Sequence, residues 1–260
     1  MPSVTQRISQ IKQPRGGYIN PRKTLAVREL DVPKPPHDAK SENINPGLVG
    51  VAVDYLTRFM DGTPVEEAFK ISYLGASFIL EDAPWYGKQV TGLDDDSIVA
   101  AIRLAGFDTV YRAGSMTYRP VEEIEPNAET IENVRAMVEA GLAFFREYGP
   151  VVRDGITFQG GGYTDVVNTG DGDFMTADTV WDFKCSVKPP TNKHTLQIVM
   201  YWLMGLHSQF AEDYRKVTRL GFFNPRLASV YTVNVADIPV ETLHEIEAQV
   251  ICYDDADAFF

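Results

Sequence analysis

The hydrophobic period changes at Gly149-Pro150, and this one change restricts the chain to folds in which a helical layer precedes a sheet. Before it, Leu48, Val49, Val51, Ala52, Tyr55, Leu56 and Phe59 recur at helical spacing and predict a largely buried helix over 46–60. Thr63-Pro64-Val65-Glu66 predicts a second helix, with the threonine as cap, proline in the first turn and Glu66 completing a capping box. A third is expected over 94–104, closed by Gly106. Asn127 caps a fourth, whose stripe is Ile131, Val134, Val138, Leu142 and Phe145. Beyond Pro150 the texture is β-branched and aromatic. Strands are expected at 156–158, 163–168 and 179–184, with Gly160-Gly161-Gly162 and Gly170-Asp171-Gly172-Asp173 as tight turns. A Pro-Pro loop, a helix over 192–207, strands at 217–223 and 229–235 and a last helix over 239–250 follow. The order α-β-β-β-α-β-β predicts one α/β domain over 46–260, a short mixed sheet flanked by helices. Residues 1–45, with six prolines and no sustained periodicity, predict an extended or wrapping arm.

Charge narrows the range of functions. The chain carries a net charge of −12, which excludes a protein that coats nucleic acid by bulk positive charge but leaves room for a local site. The arm is basic, which reads as a solvated segment or as one that touches phosphate. No apolar run approaches the ~20 residues of a membrane span, and the basic first 30 residues lack a secretory core, so a cytoplasmic chain is expected. Cys185 and Cys252 are too few for zinc or an iron–sulfur cluster and read as reduced thiols.

The stretch Thr179-Val180-Trp181-Asp182-Phe183-Lys184 is the most informative. On a strand, Asp182 and Lys184 share one face while Trp181 and Phe183 take the other. With 163–168 as the neighbouring strand, Asp165 comes beside Asp182. Two carboxylates at short range in a half-buried sheet need a proton or a divalent cation between them, and oxygen ligands select Mg²⁺ or Mn²⁺. Gln197 and Tyr201 stand i, i+4 on an otherwise greasy helix, so each needs a partner there. The amide suits orienting Lys184 or a water, and the phenol suits holding a phosphate or nucleotide.

Gly161-Gly162-x-x-Asp165, then Asp182-x-Lys184, then Gln197-x-x-x-Tyr201, in this order, resembles the PD-(D/E)XK nuclease superfamily in its RecB-like branch. The resemblance covers roughly residues 150–210. It implies a restriction-endonuclease-like core and metal-dependent hydrolysis of phosphodiesters, with DNA ahead of RNA as substrate. It further implies Asp165, Asp182 and the main-chain carbonyl of Phe183 as ligands of Mg²⁺ or Mn²⁺ and Lys184 as the catalytic lysine, with Gln197 and Tyr201 arranging substrate and lysine. Gly50-Val51-Ala52-Val53-Asp54 puts an aspartate where relatives carry a histidine ligand, so Asp54 is a further candidate. The cysteines of the CRISPR-adaptation relatives are missing.

Plainer readings stand beside these. Asp182 and Lys184 alone would be an exposed ion pair, Asp54 the polar edge of its helix, and Asp171 with Asp173 a hairpin turn without the later glutamate of a calcium loop. His194 reads as an exposed first-turn residue near Lys188 and Lys193. No histidine or serine sits in a hydrolase-triad pattern. The competing functional reading is a binding or scaffold protein that keeps the fold and meets a protein partner through its acidic surface or its arm; a phosphoesterase acting on nucleotides is a third.

Overall fold

A computed structural model describes residues 2–159 and 163–260; the expected turn at Gly160-Gly161-Gly162 lies outside the described residues. In chain order the elements are α1 (Val4–Gln10), α2 (Pro21–Thr24), β1 (Ala26–Glu29), α3 (Pro46–Met60), α4 (Val65–Ala68), α5 (Lys70–Phe78), α6 (Ala83–Gly87), α7 (Asp95–Ala105), α8 (Asp108–Ala113) and α9 (Ala128–Tyr148). Then come β2 (Arg153–Gln159), β3 (Thr169–Met175), β4 (Thr179–Phe183), α10 (Asn192–Gly205), α11 (Ala211–Tyr214), β5 (Arg219–Asn224), β6 (Ser229–Asn234) and α12 (Val240–Glu245). A π-helical turn, Ile246–Ile251, continues α12.

The strands form one mixed α/β sheet in the order β1-β6-β5-β4-β3-β2. Among the strands of the described residues only β4 and β5 are parallel, and α10 makes the crossover that a parallel pair requires. Alternation along β4 divides the core. Trp181 and Phe183 face the layer that contains α3, α7 and α9, whereas Val180 joins the layer built on α10. In the first layer Phe144 of α9 lies edge-on to Trp181 at 4.9 Å and stacks on Phe223 at 4.4 Å. Trp181 rests directly over Gly221 of β5, where a Cβ would come within 2.2 Å of the indole. Gly221→Ala is therefore expected to cost about 1–3 kcal/mol by overpacking, read as a lowered midpoint in urea unfolding with unchanged slope.

The basic arm is more regular than an extended strap. Ser3 and Gln6 form a reciprocal capping box that starts α1, and Asn20 with Pro21 starts α2. Val4 and Ile8 cover the outer side of α10, which explains why that helix is apolar nearly all round. Further along, β1 pairs antiparallel with β6 and closes the sheet edge. Glu42 then inserts beside Arg226, with carboxylate–guanidinium distances of 2.6 and 3.0 Å, and accepts a third bond from Asn133 Nδ2 at 2.7 Å.

Three expectations are corrected. Segment 163–168 is irregular rather than a strand, and β3 occupies the Gly/Asp run taken for a turn. The reason is strand pairing: Gly170 and Gly172 stand opposite Phe158 and Ile156 in the antiparallel β2–β3 register, so the run is held as a ladder rather than released as a turn. Thr63 does not cap the second helix. Pro64 occupies the cap position without a side-chain bond, and the helix breaks at Phe69 into α4 and α5. Among the described residues no helix is long and apolar enough to cross a membrane.

Candidate active site

Strands β3 and β4 pair only at Phe174 with Trp181 and Met175 with Val180, then splay apart. In the fork, Asp173 Oδ2 takes the place of a backbone acceptor and receives the Phe183 N–H at 2.5 Å. Asp182, buried, is the next residue of β4 towards the open end. Lys184 Nζ lies 2.8 Å from each of its carboxylate oxygens, but it makes a well-directed hydrogen bond only to Oδ1. Asp182 Oδ2 is thus a buried acceptor that lacks a hydrogen bond. From α3, Asp54 holds Arg58 through two bonds of 3.0 and 3.2 Å, and Arg58 reaches across to Asp154 of β2 at 2.6 Å.

The electrostatics follow from this crowding. Burial first, then Asp182 and Asp54, push the Asp173 carboxyl up to about 8, against the pull of Lys184 and Arg58. Burial likewise raises Asp54, with Arg58 opposing and Asp154 and Asp171 adding to the rise. For Lys184 burial acts downward, yet Asp182 and Asp173 outweigh it and hold the ammonium above its ordinary value. Over the fork, Gln197 Nε2 donates to the Tyr201 hydroxyl at 2.7 Å. Burial, followed by the charge of Asp182, raises the Tyr201 phenol and keeps it neutral. His194 is half-buried rather than exposed. Its Nδ1 accepts from the Thr191 N–H at 3.2 Å, and burial followed by the nearby Lys184 lowers its pKa.

The structure therefore brings together Asp182, Lys184, Gln197, Tyr201 and Asp54, with the Phe183 backbone at the fork. It does not bring Asp165 to the position expected for it. Asp165 lies exposed in the irregular segment before β3, and the carboxylate next to Asp182 belongs to Asp173. Sequence reasoning also passed over Arg58. The two-residue spacing of Asp171 and Asp173 ahead of Phe174-Met175 is the strand signal that would have revealed β3.

A cleft of about 600 Å³ opens on the Asp54 and Asp173 side of the site, walled by Asp54, Arg58, Tyr111, Arg112, Asp171 and Asp173, and a second cavity of about 590 Å³ shares Arg58, Thr63 and Asp154 with it. As the side chains stand, no three His, Cys, Asp or Glu groups among the described residues enclose a point where a cation would sit. Arg58 and Lys184 supply the counter-charge instead. The donor set nonetheless fits a hard divalent ion: it is all oxygen, its central carboxyl is destabilised by its neighbours, and Asp182 Oδ2 has an unused lone pair. No family model matches this chain, and neither a curated protein nor a solved structure is found to be similar to it.

Proposed function

We propose that the protein is a Mg²⁺- or Mn²⁺-dependent nuclease of the cytoplasm that hydrolyses phosphodiester bonds of DNA, on a restriction-endonuclease-like core of PD-(D/E)XK type. The observation that carries this reading is the meeting of Asp173 with Asp182-x-Lys184 at the β3–β4 fork, beneath Gln197 and Tyr201. The β2-β3-β4 meander, the α10 crossover and the parallel β5 agree with such a core.

Asp173 and Asp182, with the Phe183 carbonyl, would hold the ion, and Asp54 is the further ligand once Arg58 releases it. A bound divalent ion would neutralise the non-bridging oxygens of the scissile phosphate. Lys184, kept protonated by two carboxylates, holds its proton at Nζ, where it steadies the attacking water and the developing negative charge. Gln197 fixes the Tyr201 hydroxyl, and this pair orients the phosphate or the lysine. A second reading is favoured by one observation: Arg58 already satisfies both oxygens of Asp54, as a non-catalytic protein retaining the fold would require.

The two are separated by incubating linear duplex, single-stranded DNA and a mononucleotide panel with Mn²⁺. Lys184→Ala is expected to lose activity by about 100-fold or more, whereas Asp165→Asn keeps it. Equal loss in both variants would return the ligand role to Asp165. No cleavage of any substrate, with no Mn²⁺ binding by calorimetry, would favour the scaffold; cleavage of mononucleotides alone would mark a phosphoesterase.

A further inference from the structure

Beside the cleft stand two aromatic rings that no protein core explains, and one of them, Tyr111, lines it. Phe78, at the end of α5, is 62% exposed and Tyr111 of α8 is 45% exposed, yet their rings stack at 5.9 Å with only 9° between their planes. The stack exists because α5 and α8 approach closely: a Cβ on Gly75 would lie 2.0 Å from the Phe107 carbonyl, so only glycine allows the contact. Leu74 and Tyr111 line the same cleft as Asp173 and Asp54, so the platform borders the proposed catalytic groove.

Next to Tyr111 on the same helix, Arg112 is anchored from behind. Its Nε donates to buried Asp108 at 2.5 Å, and Tyr55 also bonds Asp108 at 2.5 Å. Its outward Nη1 pairs with Asp171 at 2.9 Å, a contact whose partners are about half exposed, 48% and 53%. Such exposed pairs contribute only about 0–1 kcal/mol, so an incoming phosphate can replace Asp171 without disturbing the anchor.

We propose that Phe78 and Tyr111 form a base-stacking platform and Arg112 the adjoining phosphate contact, so that this groove takes an unpaired DNA strand. The inference rests on the nuclease reading and specifies its substrate form. An exposed ring offers a face to any base, and such stacking together with a nearby cation is how single strands are held without sequence preference. A base paired within a duplex has both faces covered and gains nothing from the platform.

The test is fluorescence anisotropy in EDTA, so that no strand is cut, with a labelled oligothymidine and a hairpin duplex of equal phosphate count. Tyr111→Ala is expected to weaken single-strand binding about tenfold, to leave duplex binding unchanged, and to be rescued by Tyr111→Phe. Arg112→Ala is expected to lower the salt slope of binding by about one, and Asp171→Asn to tighten binding. Both rings are exposed, so the folded state is not at risk, and far-UV circular dichroism checks this. Equal weakening for strand and duplex, no weakening for either, absence of binding by the unaltered protein, or a self-association that Tyr111→Ala abolishes would each overturn the proposal. The nuclease reading is judged separately by Mn²⁺-dependent cleavage, which survives if the platform is irrelevant.

Discussion

Asp173→Asn is expected to abolish Mn²⁺-dependent cleavage while making the protein more stable at alkaline pH. Asparagine keeps an oxygen for the Phe183 N–H but removes a charge crowded by Asp182 and Asp54. In the unfolded chain this carboxyl titrates near 4, about the ordinary value; in the folded protein it is pushed up to about 8. Between those values the folded state binds a proton that the unfolded state has released. Stability therefore falls as pH rises from about 4 to about 8, by at most about 1.4 kcal/mol per pH unit from this group, and is flat above. The variant lacks that fall, so the stability gap between it and the unaltered protein should widen across the same window. A divalent ion replaces the proton, so Mn²⁺ should raise the melting temperature of the unaltered protein more at about pH 8.5 than at about pH 6, and that of the variant at neither. A variant that still cuts DNA would remove Asp173 from the site. A pH-independent gap would show that its carboxyl is not destabilised as described.

The second large effect concerns folding rather than chemistry. Glu42→Gln is expected to cost about 3–5 kcal/mol, because it strands the charge of Arg226 in an interior where the two side chains are only 2% and 7% exposed. The same change removes one of the charge-assisted contacts that tie the segment before α3 to the β5–β6 turn and, through Asn133, to α9. Denaturant titration measures the loss directly. Glu42→Leu combined with Arg226→Met should recover most of it, since a matched apolar pair carries no stranded charge. A loss below about 1 kcal/mol for the single variant would show that water reaches the guanidinium.

Features governed by local periodicity and capping were legible in the sequence. The helix Pro46–Met60, the helix expected over 94–104, the cap at Asn127, and the alternation of Trp181 and Phe183 against Asp182 and Lys184 all stand as read. Gln197 and Tyr201 do share a helix face and do partner each other. What misled was glycine. Gly170 and Gly172 have the composition of a turn, but both are paired with β2, opposite Phe158 and Ile156. The glycines hide that pairing, and this is why Asp165 rather than Asp173 is expected beside Asp182. Arg58 and Arg112 were missed for a related reason, since their partners Asp154 and Asp171 are fixed only by tertiary folding. The arm's first helix was missed although Ser3-x-x-Gln6 spells out its capping box.

The covering of α10 also sets an order of events during synthesis. Val4 and Ile8 shield that helix together with Val250 and Ile251, and Arg7 locks the two segments by donating to the Val250 carbonyl at 2.8 Å. On a growing polypeptide α1 is available when α10 emerges, but the part of the cover supplied by Val250 and Ile251 follows only after β5, β6 and α12. The cover of the element that presents Gln197 and Tyr201 is thus completed only when residues 4–8 and 250–251, far apart in sequence, are both in place.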